Sequence, residues 1–106
     1  MKLELKSKNL DFTLAIKEYI EMKIGGLAKL VSGIERGGTE VLARVEVVRT
    51  SNHHGKGDVY RAEVNIDAPQ NIVRAEEEST NIRAAIDGVQ VKLRQLLVKY
   101  KEKRSD

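Results

Sequence analysis

Hydrophobic positions along the chain keep two different periods. In "MKLELKSK", Leu3 and Leu5 alternate with Lys2, Glu4 and Lys6, the period of two that sets one face of a strand against a core. Ile16, Ile20, Ile24, Leu27 and Val31 then recur at steps of four, four, three and four, which is one stripe of a helix, and Thr13 can cap its first turn. The spacing predicts a helix over 14–30. Gly25 and Gly26 interrupt it, at about 1 kcal/mol each relative to alanine. They mark either an early fraying end or a close approach to a partner.

Ser32 to Thr39 is glycine-rich and reads as a loop, after which "VLARVEVV" (41–48) is too β-branched for a helix and predicts a strand. "TSNHHGKG" (50–57) has the residues of a turn. From Val59 to Ile66, Tyr60, Ala62, Val64 and Ile66 share one side and Arg61, Glu63 and Asn65 the other, which completes an antiparallel hairpin. "DAPQ" (67–70) makes the next turn and Asn71 to Ala75 a short fourth strand. A last helix begins near Ser79 or Thr80, with Ile82, Ile86, Val89, Leu93, Leu96 and Tyr100 stepping by four, three, four, three and four. The order β-α-β-β-β-α predicts an α+β domain: a four-stranded sheet with both helices packed on one face.

A chain of 106 residues, 41% hydrophobic, closes one core. It has no cysteine, which removes disulfides, cysteine-ligated zinc and thiol nucleophiles and fits the cytoplasm. No apolar leader opens the sequence and no run of about 18 apolar residues occurs, so no secretion signal or membrane span is expected.

The net charge of +3 is unevenly spread. Residues 82–104 hold seven bases (Arg83, Lys92, Arg94, Lys99, Lys101, Lys103, Arg104) against Asp87 and Glu102, leaving +5 there and −2 elsewhere. Such asymmetry suits a polyanion or an acidic membrane surface, and it is also what a solvated helix end looks like. Lys92, Lys99 and Lys103 are spaced for one flank of the last helix, with Arg83, Arg94 and Lys101 nearer its outward face.

Sharper chemistry finds little footing. His53 and His54 are neighbours that an extended chain points to opposite faces, with no second ligand pair nearby, so no metal or other cofactor is expected. His53, His54 and Lys56 can instead touch phosphate or a base from a hairpin tip, or form a plain solvated turn. "GKG" lacks the spacing and hydroxyl of a phosphate-binding loop. Glu76, Glu77 and Glu78 read as acids placed just before a helix, where its dipole favours them, with no nucleophile or base beside them. No enzyme and no small-molecule substrate is expected.

Taken jointly and in order, "MKLELKSKNLDFTLAIKEYIEMKI", "GDVYRAEVNI", "AEEES" and "AAIDGVQVKLRQLLVKYKEK" resemble the short form of the ribosome hibernation promoting factor family, also called ribosome-associated inhibitor or sigma-54 modulation protein. The resemblance covers 1–104 as one ribosome-binding domain, with 105–106 a tail. It implies a stress- and stationary-phase translation inhibitor that docks on the small ribosomal subunit and its rRNA, or on the whole ribosome, and blocks messenger RNA and A- and P-site transfer RNA in the decoding channel. Lys23 matches a first-helix base of the family, and Lys92, Lys99, Lys101 and Lys103 match its last-helix bases. Lys29, Arg83, Arg94 and Arg104 complete the expected rRNA-binding set. Gly26, Arg83 and Gln95 depart from the lysine, tyrosine and arginine common in relatives. Longer relatives add a C-terminal dimerisation domain, and resemblance to the short form implies a free monomer without one.

Two other readings compete. A generic double-stranded RNA-binding domain has a similar fold, but it lacks this first strand and carries its lysines at the start of its last helix instead of toward the end. A protein-interaction module, pairing through an edge strand or modulating a transcription factor, has no need of the +5 segment.

Overall fold

Four strands form one sheet in the order β1 (Lys2–Lys8), β2 (Leu42–Thr50), β3 (Val59–Ala68) and β4 (Asn71–Ser79). The computed structural model describes residues 1–37, 40–50 and 57–104. β1 runs parallel to β2, with Leu3 opposite Ala43 and Leu5 opposite Val45. β2–β3 and β3–β4 are antiparallel hairpins. A parallel pair needs a crossover, and here it consists of α1 (Leu14–Gly25), α2 (Ala28–Ser32) and a short 3-10 turn, Ile34–Gly37. The last helix, α3, spans Ile82–Arg104.

The α+β architecture and the one-sided sheet agree with the reading of the sequence. Ala43, Val45, Val47, Ala62, Val64, Ile66, Val73 and Ala75 share a core with Ile20, Ile24, Leu27 and Val31 on one side and Ile86, Val89, Leu93 and Leu97 on the other. Burying each large aliphatic side chain contributes about 1.5–3 kcal/mol. All three helices therefore cover one sheet face, and the other stays open.

Four differences from expectation bear on the site. The helix predicted over 14–30 breaks at Gly26, whose N–H bonds the Met22 carbonyl at 3.1 Å while the Leu27 N–H reaches back only to Ile24, at 3.0 Å. The tightened turn swings Leu27 fully into the core. β4 runs to Ser79 instead of Ala75, because Glu76, Glu77 and Glu78 continue the ladder opposite Glu63, Ala62 and Arg61. These acids are thus strand residues and do not sit against a helix dipole. α3 starts at Ile82, and Asn81 caps it, its Oδ1 accepting from the Arg83 N–H at 2.9 Å and the Ala84 N–H at 3.2 Å.

The fourth difference concerns the stripe of α3. Leu97 is fully buried and Leu96 is 37% exposed. Both steps, three and four, fit a helical period of 3.6; packing against the sheet selects the residue. Gly88 allows the helix to approach β4, since a Cβ there would lie 2.6 Å from Glu77 Cγ.

Candidate nucleic-acid interface

The two faces of the molecule differ in charge. Alternation along the strands puts Lys2, Lys6, Lys8, Arg44, Arg61 and Arg74 on the open sheet face with Glu4, Glu46, Glu63, Asp67, Glu76 and Glu78. Six bases meet six acids, and several pair: Arg44 with Asp67 at 2.7 Å, and Arg74 with Glu63 at 3.2 Å and Glu76 at 3.5 Å. That face is balanced. The predicted rRNA-binding residues within the described chain all belong to the helical layer instead.

α3 does not present its bases as one strip. At 100° per residue, Arg83, Arg94 and Lys101 fall on the flank toward α1 and α2. Arg83 lies over the Tyr19 ring of α1, 5.3 Å from its centroid, and Lys101 runs beside Gly33. Lys92, Lys99 and Lys103 fall on the opposite flank, above β4. Between the flanks runs an outward ridge with Val91 and Val98, 52% and 41% exposed. Arg83, Arg94 and Lys101, expected nearer the outward face, are therefore flank residues, because α1 and α2 occupy that side of the helix.

The α1 flank has a worked centre. Tyr19 Oη donates to Asp87 Oδ1 at 2.5 Å, Lys23 Nζ stands 3.5 Å from the same oxygen, and Lys23 also lies 5.7 Å from the Tyr19 ring centroid. Lys23 and Arg83 are thus gathered on one tyrosine, across the α1–α3 seam. The bond to Asp87 raises the Tyr19 pKa above its ordinary value. Lys29, in the last turn of α2, is exposed.

On the β4 flank Lys92 is already engaged. Its Nζ is 2.9 Å from Glu77 Oε2 and 2.9 Å from the Glu76 carbonyl oxygen. The hydrogen bond and charge of Lys92 hold the Glu77 carboxyl below the usual range. Arg94, Lys99 and Lys103 are exposed and form no ion pair among the described residues. Arg104 closes α3. His53, His54 and Lys56 lie outside the described residues.

Tyr19 was not singled out by sequence reasoning, Asp87 entered only as a charge of the last helix, and Glu77 only as one of three acids expected ahead of that helix. Tyr19 and Lys23 are four apart on α1, and Arg83 and Asp87 four apart on α3, so each pair is legible as one helix side. Their meeting depends on how the helices pack. Among the described residues no cluster of His, Asp and Glu is arranged to hold a metal ion, and no helix is long and apolar enough to cross a membrane.

Residues 3–105 match the family described as Sigma 54 modulation protein / S30EA ribosomal protein. The chain is 35% identical over 103 residues to the Ribosome hibernation promotion factor of Picosynechococcus sp., covering 97% of this chain and 50% of that protein. It is 33% identical over 101 residues to the factor of the same name from Lactococcus lactis subsp. cremoris, covering 95% and 50%. The crystal structure of the Thermus thermophilus Protein Y N-terminal domain superposes with a TM-score of 0.72 at 32% identity, over 94% of this chain and 99% of that one. The chain spans about half the length of the curated relatives it matches. By sequence match and fold together, it belongs to the Sigma 54 modulation protein / S30EA ribosomal protein family.

Proposed function

We propose that this domain is a cytoplasmic ribosome hibernation factor that binds the rRNA of the small ribosomal subunit through its helical layer, and so excludes messenger RNA and transfer RNA from the decoding channel. The observation that carries the reading is the division of charge: bases on both flanks of α3, with Arg94, Lys99 and Lys103 in no ion pair among the described residues, joined by Lys23 and Lys29, against a balanced open sheet face. A polyanion is held by several such bases acting together, each neutralised phosphate releasing counterions, with no base-specific contact required. The names carried by the relatives, Ribosome hibernation promotion factor and Protein Y N-terminal domain, support the same reading.

The mechanism is occupancy. Arg83, Arg94 and Lys101 on one flank and Lys99 and Lys103 on the other are separated by the girth of a helix, roughly 10 Å, so α3 suits a cleft whose walls are both RNA. A helix with bases on one side only suits a flat surface. No covalent step is involved, and the free protein acts as a monomer.

Competition on isolated small subunits tests this. Increasing messenger and transfer RNA should displace the bound protein, and RNA and nucleotides should be recovered chemically unchanged. Binding that persists undiminished at saturating messenger and transfer RNA would place the site outside the channel.

A further inference from the structure

Beside the free edge of the sheet lies a groove that neither Lys92 nor the α1 seam uses. Its lining comes from the start of β4, with Asn71 and Ile72, and from the last turns of α3, with Leu96, Lys99, Tyr100 and Lys103. Ile72, at the strand edge on the open-face side, is 55% exposed and Leu96, on the helix side, 37%, so apolar surface borders the groove from both sides and is open to solvent. Lys99 and Lys103 stand one helical turn apart at its rim, and both are exposed. The Tyr100 hydroxyl donates to the Pro69 carbonyl at 2.8 Å, which fixes the β3–β4 turn against α3.

The turn itself adds a second observation. Gln70 lines an adjoining depression that shares Asn71, Tyr100 and Lys103 with the groove, and its φ is +67°. Glycine adopts that conformation without strain and a side chain does so at a cost. A glutamine therefore stands where turn geometry alone favours no side chain, beside the Asn71 amide. Strained backbone of this kind collects at binding sites.

We propose that this groove holds one unpaired nucleotide of RNA, the base lying against Ile72, Leu96 and Tyr100, the phosphate at Lys99 and Lys103, and the base edge read by the Gln70 and Asn71 amides. The proposal rests on the RNA-binding reading above and names a ligand within it. The chemistry matches on each side: aromatic and aliphatic surface for a π-face, two cations for a phosphate, and amides that offer both donors and acceptors. Strand addition by an acidic peptide fits less well, because Lys92 already takes the Glu76 carbonyl of the edge strand.

The test is titration of the isotopically labelled chain with tetranucleotides of uridine and of adenosine, followed by amide chemical shifts. Shifts at residues 70–74 and at the Asn71 side-chain amide are expected. Ile72→Ser and Gln70→Gly should each weaken this binding at least fivefold. Gln70→Gly should fold at least as well as the parent, since glycine suits the positive φ. Equal shifts with inorganic tripolyphosphate would reduce the groove to a charged patch and overturn the proposal. Shifts with an acidic, strand-forming hexapeptide but not with the tetranucleotides would replace it by strand addition, and silence with every probe would also overturn it. A silent groove in a parent chain that still sediments with ribosomes removes this inference alone. Failure to sediment removes the RNA-binding reading beneath it.

Discussion

Lys92 is held by Glu77 across the α3–β4 boundary at 2.9 Å, so the three lysines on this flank are not equivalent. Its ammonium also bonds the Glu76 carbonyl, whereas Lys99 and Lys103 are left for a ligand. Lys99→Gln with Lys103→Gln should flatten the dependence of log affinity for ribosomes on log salt by roughly 1.4 to 1.8 units, taking one phosphate for each. Lys92→Gln alone should change that slope much less. Equal effects from all three lysines would show that Glu77 surrenders Lys92 on binding.

The same pair sets a pH dependence. Hydrogen bonding and charge from Lys92 lower the Glu77 pKa in the folded state. A carboxyl with a depressed folded value adds stability above its unfolded pKa and loses it as the pH falls through the folded value. Glu35 behaves likewise, its carboxylate accepting from the Val41 N–H at 2.8 Å. Unfolding should therefore become easier on acidification through and below the ordinary glutamate range. In Lys92→Gln, carboxyl titration by NMR should find Glu77 moved upward while Glu35 stays where it was.

Tyr19 offers the opposite sign. Its bond to Asp87 raises its pKa in the folded chain, so the stability it adds is complete below the unfolded tyrosine value and disappears as the pH climbs through the folded one. Ring-carbon NMR titration should place Tyr19 above the ordinary tyrosine range. Asp87→Asn should bring it down and release Lys23 from its ion pair. A Tyr19 titration that ignores Asp87→Asn would mean the seam is not closed in solution.

How much of this was written in the chain depends on the range of the interaction. Alternation in β2 and β3 and the period of α1 are local, and the sheet with its covering helices follows from them. Leu96 and Leu97 are adjacent, and only contact with the sheet distinguishes them. Glu76–Glu78 misled for the same reason: acids are poor strand formers, yet the β3 ladder opposite and Lys92 above hold them extended. The charge of α3 was legible as a total, but its division between two flanks, and the capture of Lys23 and Arg83 by Tyr19, needed the packing of α1.

That distinction between neighbouring leucines is measurable by denaturant unfolding. Leu97→Ala removes a fully buried side chain and should cost about 2–5 kcal/mol. Leu96→Ala, at a position already 37% exposed, should cost less than about 1 kcal/mol. The reverse order would mean that α3 is rotated on the sheet by a residue.

Sedimentation of the purified chain with isolated small subunits and with whole ribosomes tests the central claim most directly. At low salt the protein should migrate with both and should be released as salt rises, because several phosphates are neutralised at once. A protein that remains at the top of the gradient at low salt, alongside small subunits known to be intact, would contradict the account.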